Sequence, residues 1–346
     1  MTKRIITVLL SLFLIATLTV GCGSDANTSN NDNQDKVKQQ KQKDTQDPTK
    51  ETSYYPVTIK NYNSQGEEYQ ITFTKRPDKI ITTNQPPTEL LLTLGLEDIM
   101  VGTSYLDNPI LPKLKEKYEK IPVLSNRYPS KEVVIAKQPN LIFGWSSAFM
   151  DKNIGSVESW NKKGVYTFIQ RNSGVADERS IENVYKDIDD IGKIFNIKDK
   201  ADKLINSMKE RISNIQDKIK DKEPVKVLAL EGAGDNKYRV YGKTSLINDM
   251  IEKAGGINLA EKSGTYSIEN IVAKNPDAII LIHYLEQEKD NDSIKGLKNN
   301  SVLNNVNAIK NDKIIFTPLA ETYAGGIRTI KGIERFAKEF YPELFK

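Results

Sequence analysis

Side chains that build disulfides and most metal sites are almost missing from this 346-residue chain. It has one cysteine, Cys22, and one histidine, His283, so no disulfide can form within the chain. Direct binding of free zinc or manganese usually needs several converging His and carboxylate ligands, which argues against a bare metal ion as ligand. The charge balance is nearly even, at +4, and this argues against nucleic acid as a partner.

The first 21 residues have the layout of a secretory signal peptide. Met1-Thr-Lys-Arg supplies positive charge, and an uncharged run of sixteen residues follows from Ile5 to Val20. That run is shorter than the roughly 20 apolar residues that a membrane-spanning helix needs. The stretch Leu18-Thr19-Val20-Gly21-Cys22 resembles a bacterial lipobox, although Thr19 replaces the commoner Leu. We expect cleavage before Cys22 and a lipid anchor on its thiol; an ordinary secretory signal with an incidental cysteine is the alternative.

A polar segment separates this leader from the rest of the chain. Residues 23–53 contain no aromatic side chain and very few apolar ones, so they cannot bury a core. A flexible coil of this length spans roughly 30 Å, enough to clear lipid headgroups. The sequence therefore predicts a tether over residues 22–53.

The remaining residues, from 54 onward, predict an α/β fold of two domains. Short apolar runs alternate with helical patterns, which is typical of parallel sheets with crossover helices. The expected strands are Lys79–Thr83, Met100–Ser104, Leu141–Trp145, Val165–Gln170, Val225–Gly232, Ala278–Tyr284 and Lys313–Leu319. An initial hairpin with arms Val57–Lys60 and Tyr69–Lys75 should turn at Asn63-Ser-Gln-Gly66.

One long amphipathic helix is expected midway between the two halves. Apolar residues recur at spacings of three and four from Lys198 to Asp221, which predicts a helix of about 35 Å. An ordinary core-facing helix would have the same stripe, but its position favours a bridge. The predicted domains are residues 54–197, the bridging helix 198–221, and residues 222–346.

An internal repeat supports two similar halves. The stretch Ser130-Lys-Glu132-Val-Val-Ile-Ala136-Lys137-Gln-Pro139-Asn-Leu-Ile142 recurs as Ser267-Ile-Glu269-Asn-Ile-Val-Ala273-Lys274-Asn-Pro276-Asp-Ala-Ile279, at an offset of 137 residues. Each copy predicts a capped helix that ends before a proline and a buried strand. The same residues could be plain helix punctuation, without a common origin.

From about Tyr55 onward the chain resembles a known family, the substrate-binding lipoproteins of ATP-binding-cassette (ABC) importers for iron-siderophores, haem and cobalamin. The resemblance rests on the order and spacing of the two Glu-containing repeats and of Arg76-Pro-Asp-Lys-Ile-Ile, Thr88-Glu-Leu-Leu-Leu-Thr-Leu-Gly-Leu-Glu-Asp98, Val101-Gly-Thr-Ser-Tyr105, Tyr241-Gly-Lys-Thr-Ser245 and Ala254-Gly-Gly-Ile-Asn258. It implies two Rossmann-like lobes joined by a single long bridging α-helix, with ligand between the lobes and little closure on binding. It also implies a monomer without a cofactor.

The family's docking residues correspond to Glu132 and Glu269, one on each lobe. In such receptors the paired glutamates are thought to meet arginines on a permease dimer, which works with its ATPase. Two equivalent carboxylates on a pseudo-symmetric body can match two equivalent cationic pockets. Each glutamate could instead serve only as a first-turn or capping residue of its helix, and the two roles are compatible.

The ligand, expected to be a metal chelate, should lie between the lobes where strands end. Aromatic rings can cover a planar ligand, and arginine can grip carboxylate or catecholate oxygens. Arginine is informative here because the chain has 41 Lys and only 9 Arg. The candidates are Asn84, Gln85, Tyr105, Arg127, Trp145, Ser146, Phe149 and Arg171 in the first lobe, and Glu231, Tyr238, Arg239, Tyr241, Tyr284, Tyr323 and Arg328 in the second. Each arginine could instead be structural, and Arg328 most of all. Trp145 and Tyr105 match aromatic positions of cobalamin-binding members.

Two other function classes are weighed against transport. An enzyme finds little support, because Gly232-Ala-Gly234 has Lys237 where a dinucleotide loop needs its third glycine, and Gly144-Trp-Ser-Ser-Ala148 lacks the second glycine of a nucleophile elbow. His283 lies within an apolar run and is read as a buried imidazole, with haem ligation as the alternative. A surface adhesin would share the anchor and the tether but would need no ligand cleft. The preferred function is capture of a ferric-siderophore-type chelate, with cobalamin or haem as alternatives.

Overall fold

The structure is a computed structural model that describes residues 54–234, 237–284 and 292–346. The expected signal peptide, the lipid anchor at Cys22 and the tether 22–53 lie outside these residues. In the described ranges, no helix combines the length and the apolar character needed to span a membrane.

The described chain begins with a β-hairpin and continues into a parallel sheet. In chain order, the elements up to the middle of the molecule are β1 (Val57–Tyr62), β2 (Glu68–Phe73), β3 (Ile80–Thr82), α1 (Gln85–Leu94), β4 (Met100–Ser104), α2 (Lys115–Tyr118), β5 (Val123–Ser125), α3 (Lys131–Ala136), β6 (Leu141–Gly144), α4 (Val157–Asn161), β7 (Tyr166–Ile169), α5 (Ile181–Ile194) and α6 (Lys198–Ile219). The hairpin forms a two-stranded antiparallel sheet of its own.

The first lobe is built on a five-stranded sheet in the order β5-β4-β3-β6-β7, and every pairing in it is parallel. Its central strands are buried on both faces, as the continuous apolar runs predict. The strand order reverses at β3, whose neighbours in the sheet are β4 on one side and β6 on the other. Ligands of such sheets bind at the carboxyl ends of the strands near this switch point.

The second lobe contains a sheet of mixed direction. Its elements are β8 (Val225–Gly232), β9 (Tyr238–Val240), α7 (Leu246–Lys253), β10 (Gly256–Asn258), β11 (Gly264–Tyr266), α8 (Ile268–Lys274), β12 (Ala278–His283), α9 (Asp292–Lys298), α10 (Asn307–Lys310), β13 (Ile314–Pro318), α11 (Leu319–Thr322) and α12 (Thr329–Phe340). The order is β11-β9-β8-β12-β13, with β10 also paired to β8.

Two strands of this second sheet run against the expectation of an all-parallel arrangement. β9 pairs antiparallel with β8 and β11 pairs antiparallel with β9, whereas β10, β12 and β13 are parallel members. The reason is the short link from β8 to β9, in which the Ala233 N–H donates to the Lys237 carbonyl at 2.9 Å. Such a turn joins antiparallel neighbours, because a parallel pair needs a long crossover. In the described residues β8 is therefore followed by β9, and not by the helix that a dinucleotide loop would open.

The long helix α6 joins the two lobes as predicted, and it ends at Ile219, two residues before the expected Asp221. The apolar stripe is buried at the residues Ala201, Ile205, Met208, Ile212, Ile215 and Ile219. Helix α6 packs against α5 of the first lobe and against α7 and α12 of the second. The protein thus consists of two Rossmann-like α/β lobes joined by a single long bridging helix.

The internal repeat has the same local structure in both copies. The Ser130 side chain accepts a hydrogen bond from the Val133 N–H in the first turn of α3, and Ser267 forms a capping box at the start of α8. Each helix is followed within two residues by a residue in the left-handed region, with φ of 48° at Gln138 and 42° at Asn275. These two residues are equivalent in the repeat, and a left-handed conformation is uncommon outside glycine.

The strand that follows each repeat begins in the same way. The Asn140 N–H donates to the Lys79 carbonyl at 2.9 Å, and the Asp277 N–H donates to the Lys226 carbonyl at 2.8 Å. The same two side chains accept from the N–H groups of Lys79 and Lys226. The two lobes therefore share a helix–strand unit in which even individual hydrogen bonds are the same. Residues that merely start and end a helix would not account for this agreement.

Candidate functional site

A cavity of about 790 Å³ opens where strands of both lobes end. Its volume lies within the range of small-molecule sites, about 300 to 1,000 Å³. The described lining residues are Tyr105, Leu106, Asp107, Tyr118, Val123, Ser125, Asn126 and Arg127 from the first lobe and Tyr284 from the second. Most follow β4 and β5, and Tyr284 follows β12, so the cavity lies at the edge where a ligand was expected.

The wall from the first lobe presents an arginine held by aromatic rings. The guanidinium of Arg127 lies 4.9 Å from the ring centroid of Tyr105 and donates a hydrogen bond to its hydroxyl. The Tyr105 ring contacts the Tyr128 ring edge to face at 4.9 Å. Tyr128 is bonded in turn to Ser147 and Asn84, and burial raises its pKa to about 12. Arg127 is exposed, so its remaining N–H groups can pair with an anionic ligand.

Beside Tyr284, which is the described lining residue from the second lobe, that lobe has the same pairing of arginine and tyrosine. The Arg239 guanidinium lies 5.2 Å from the ring centroid of Tyr241, and its side chain is 50% exposed. The Glu231 carboxylate accepts a hydrogen bond from the Tyr241 hydroxyl, and a second one from the Tyr284 hydroxyl at 2.7 Å. Burial is the main cause that raises the pKa of the Tyr241 and Tyr284 phenols, and the Glu231 carboxylate is the next. They therefore stay protonated, as donors that hold Glu231 in place beside Arg239.

Asp107 is a cavity residue that the sequence reasoning missed. It is 4% exposed, and its backbone N–H donates to the Gln85 side-chain oxygen at 3.1 Å. Among the described residues, its Oδ2 has no hydrogen-bond partner. Burial raises the pKa of the Asp107 carboxyl to about 6, although Arg127 opposes this. Its place two residues after Tyr105, just beyond a strand end, was the available signal.

Several predicted ligand residues contact the opposite lobe. The Trp145 indole N–H donates to the Gln170 side chain at 2.9 Å, and the ring lies 5.1 Å from that of Tyr323. Gln170 also donates to the Gly325 carbonyl of the second lobe at 3.1 Å. Trp145 is only 6% exposed, so in this structure it fills the junction between the lobes. Tyr323, which is partly buried, reaches from that junction toward Arg239.

Gln85 and Arg328 lie in the same junction. The Gln85 oxygen accepts from the N–H groups of Asp107 and Asn108, which shapes the loop at the cavity floor. The Arg328 guanidinium is bonded to both carboxylate oxygens of Glu89 and to the Pro109 carbonyl. These hydrogen bonds engage Nε and Nη2 of Arg328 within the protein. Arg328 is therefore left out of the ligand set that we propose.

Other predicted ligand residues lie in the interior of their own lobe. Arg171 is buried among carboxylates of α5, with ion pairs to Asp187 and, at 2.7 Å, to Asp190. Phe149 is fully buried in the first lobe, and Tyr238 is 2% exposed in the core of the second. Ser146 is bonded to Ser173 through both its N–H and its hydroxyl. We leave these residues out of the proposed set as well. The Asn84 oxygen accepts from the Trp145 N–H, so Asn84 orients that loop.

The expected docking glutamates and the single histidine have clear positions. Glu132 and Glu269 lie in the first turns of α3 and α8, and their carboxylates are fully exposed. The pKa of Glu132 is lowered by its backbone N–H and then by Ser130, and that of Glu269 by Ser267 and then by its backbone N–H. Both stay charged at neutral pH. His283 is 3% exposed within β12, with its ring 5.8 Å from Phe316.

The two lobes, the bridging helix and the cavity between the lobes define a class of binding protein. The chain belongs to the periplasmic binding protein family, whose model matches residues 80–320. It is similar to the uncharacterized ABC transporter substrate-binding lipoprotein YvrC of Bacillus subtilis, with 28% identity over 97% of both chains. It is also similar to the petrobactin-binding protein YclQ of the same organism, with 28% identity over 73% of this chain and 78% of that protein.

A solved structure has the same architecture. The periplasmic binding protein from Veillonella parvula superposes with a TM-score of 0.75 and 28% identity, over 84% of this chain and 93% of that one. The family assigns the chain to the substrate-binding proteins of ABC transporters, which bind a small molecule and work with the transporter. Its relatives are transport proteins rather than enzymes.

Proposed function

We propose that this protein captures an anionic metal chelate of the ferric-siderophore type in the cavity between its lobes and delivers it to an ABC permease. The observation that carries the proposal is the pair of arginines, Arg127 and Arg239, one from each lobe. Each guanidinium lies over a tyrosine ring, at 4.9 Å from Tyr105 and 5.2 Å from Tyr241. Stacking orients the planar group. Arg127 donates one hydrogen bond to Tyr105 and Arg239 lies 4.0 Å from the Glu231 carboxylate, so the other N–H groups of each guanidinium would meet the oxygen anions of a ligand. A ligand with anionic oxygens on two sides suits this arrangement.

Haem and cobalamin are the alternatives of the same transport class. Haem carries two carboxylates that the two arginines could pair with, and the tyrosine faces suit any flat ligand. A corrinoid offers mainly amide side chains, so it would make less use of the cationic groups. His283 and the raised pKa values of Tyr241 and Tyr284 favour recognition of an intact chelate, because a buried imidazole and protonated phenols make poor ligands for its iron.

The proposal places the protein on the outer face of the membrane. Cys22 would carry the lipid anchor, residues 22–53 would tether the lobes, and the protein would work as a monomer. Glu132 and Glu269 would dock onto the permease dimer, whose ATPase drives transport. The equivalent places of the two glutamates in the repeat and their full exposure support this role, since matched charges steer encounter and set the register of a complex.

The test is a binding titration followed by intrinsic tryptophan and tyrosine fluorescence. The purified protein is titrated with ferric petrobactin, ferrichrome, haemin and cyanocobalamin at neutral pH. We expect saturable quenching by a ferric siderophore, with affinity that falls as salt is added, because ion pairs to exposed arginines are screened. Preference for haemin or cyanocobalamin would replace the proposed ligand by one of the alternatives. Failure of all four to bind would contradict the proposed function.

A further inference from the structure

The cavity is lined by a buried carboxylate for which the proposed roles of the two arginines give no explanation. Asp107 lines the cavity and is 4% exposed. Its Oδ2 is buried and, within the part of the chain that the structure describes, accepts no hydrogen bond. Buried polar atoms in folded proteins nearly always have a partner. A carboxylate oxygen can only accept, so the group that would satisfy Asp107 is a donor.

The described neighbours of Asp107 do not supply that donor. Gln85 bonds to its backbone N–H and not to its carboxylate. The Tyr284 hydroxyl donates to Glu231 at 2.7 Å, and the Tyr128 hydroxyl is bonded to Ser147 at 2.7 Å. Arg127 attracts the carboxylate over a longer range, but its hydrogen bond in this structure goes to Tyr105. The donor can therefore come from a molecule that enters the cavity.

We propose that Asp107 accepts a hydrogen bond from the bound chelate, so that the ligand carries a hydroxyl, amide N–H or ammonium group in addition to its anionic oxygens. This inference rests on the proposed function and narrows it. The site would then recognise two features of its ligand. Arg127 and Arg239 would bind its anionic oxygens, and Asp107 would accept a hydrogen bond from its donor group. A chelate without a donor at that position would leave the carboxylate buried and unpaired, and this disfavours its binding.

The inference can be tested by removing the charge of Asp107, because the two explanations predict changes of ligand affinity in opposite directions. If Asp107 only added negative charge to the cavity, its neutralisation would strengthen the binding of an anionic chelate. If it accepts a hydrogen bond from the ligand, Asp107→Ala weakens binding by about tenfold, the scale of one charge-assisted hydrogen bond. Asp107→Asn weakens binding less, because the amide oxygen still accepts a hydrogen bond but carries no charge. Glu116→Gln is the matched control, because it removes the same charge from an exposed site on α2. That control should leave affinity unchanged.

The dependence of affinity on pH gives a second readout. The carboxylate accepts the hydrogen bond, and burial raises its pKa to about 6. Lowering the pH from 7.5 to 5 therefore protonates Asp107 and should weaken binding by the wild type. Asp107→Asn should lose that part of the pH dependence. Among the described residues, the titratable groups that act on Asp107 are Arg127, Tyr128 and Tyr284, and none of these side-chain types titrates in this range.

Thermal unfolding separates this role from a structural one. A carboxyl whose pKa is raised by folding destabilises the folded state above that pKa. Asp107→Asn should therefore unfold at the same or a higher temperature than the wild type at pH 7.5, while it binds more weakly. A residue with a purely structural role would lose stability when replaced.

The experiment measures affinity for ferric petrobactin, ferrichrome, haemin and cyanocobalamin, with the tightest-bound of the four used for the variants. Weaker binding by both Asp107 variants, with unfolding temperatures at or above that of the wild type, supports the inference. Equal or tighter binding by the Asp107 variants overturns it and leaves the proposed function intact. If the wild type binds none of the four probes, the proposed function fails and this inference fails with it.

Discussion

Glu89 and Arg328, 239 residues apart in the chain, form a doubly hydrogen-bonded ion pair inside the junction between the lobes. Glu89 belongs to α1 and Arg328 immediately precedes α12, and their side chains are 1% and 9% exposed. The Arg328 Nη2 also donates to the Pro109 carbonyl at 2.6 Å. A buried pair with its hydrogen bonds satisfied holds one geometry, although its net contribution to stability is often small.

Replacing one member of this pair should be costly. Glu89→Gln or Arg328→Met leaves an uncompensated charge in a buried site, and we expect the free energy of unfolding to fall by about 3 to 5 kcal/mol. Equilibrium denaturation in urea measures the change. The double variant should recover part of the loss, because it leaves neither charge unpaired.

An exposed pair of the same type provides the control. Arg211 and Glu334 also form a doubly hydrogen-bonded pair, but their side chains are 40% and 43% exposed. Arg211→Met should lower the free energy of unfolding by less than about 1 kcal/mol. Similar losses at Arg211 and Arg328 would contradict the view that burial decides the cost.

The buried arginine of the first lobe gives the second prediction. Arg171 pairs with Asp187 and Asp190, and it also donates to the Lys60 carbonyl of the hairpin. Arg171→Met should therefore destabilise the protein by about 3 kcal/mol, because two carboxylates lose their partner. Affinity for the ligand should stay within about twofold of the wild-type value in conditions where the variant is folded. A large loss of affinity with unchanged stability would return Arg171 to the ligand set.

Local patterns were sufficient to predict most of the fold. Met100–Ser104 and Val225–Gly232 are strands with the predicted bounds, and the stripe of α6 is buried where the spacing indicated. Strands of three residues, such as β5 and β11, left no period to detect. The antiparallel direction of β9 depends on a turn, which the alternating pattern does not reveal.

The candidate site was harder to predict, because the partner of a side chain is set by the tertiary fold. Arginine just beyond a strand is an equally good sequence signal at Arg127 and Arg171. Arg171 finds its carboxylates on a helix 16 and 19 residues later, and Arg328 finds Glu89 across 239 residues. Neither distance leaves a signature in one sequence. Asp107 was missed for the opposite reason, since nothing local marks a carboxylate whose partner would be a ligand.

The two exposed arginines of the proposed ligand site, Arg127 in the cavity lining and Arg239 beside Glu231, give the third prediction. Arg127→Ala and Arg239→Ala should each weaken binding of the chelate by about tenfold, the scale of one charge-assisted hydrogen bond. Arg127→Lys should restore little, because an ammonium neither stacks on Tyr105 nor pairs through two N–H groups. Fluorescence titration measures both variants, and each should also show a weaker dependence of affinity on salt. Wild-type affinity in both alanine variants would place the ligand elsewhere.

The fourth prediction concerns the repeated glutamates. Glu132→Ala combined with Glu269→Ala should leave ligand affinity unchanged, because both carboxylates are fully exposed on α3 and α8, and neither residue is among the described lining of the cavity. Uptake of radioactive iron by cells that depend on this protein should nevertheless fall. Each single variant should have a smaller effect than the pair, since one matched contact would remain to set the register.

The control replaces two exposed glutamates outside the repeat, Glu116→Ala with Glu210→Ala, and removes the same charge. If that control reduced uptake as much as the repeat variant, general charge rather than paired docking would explain the loss.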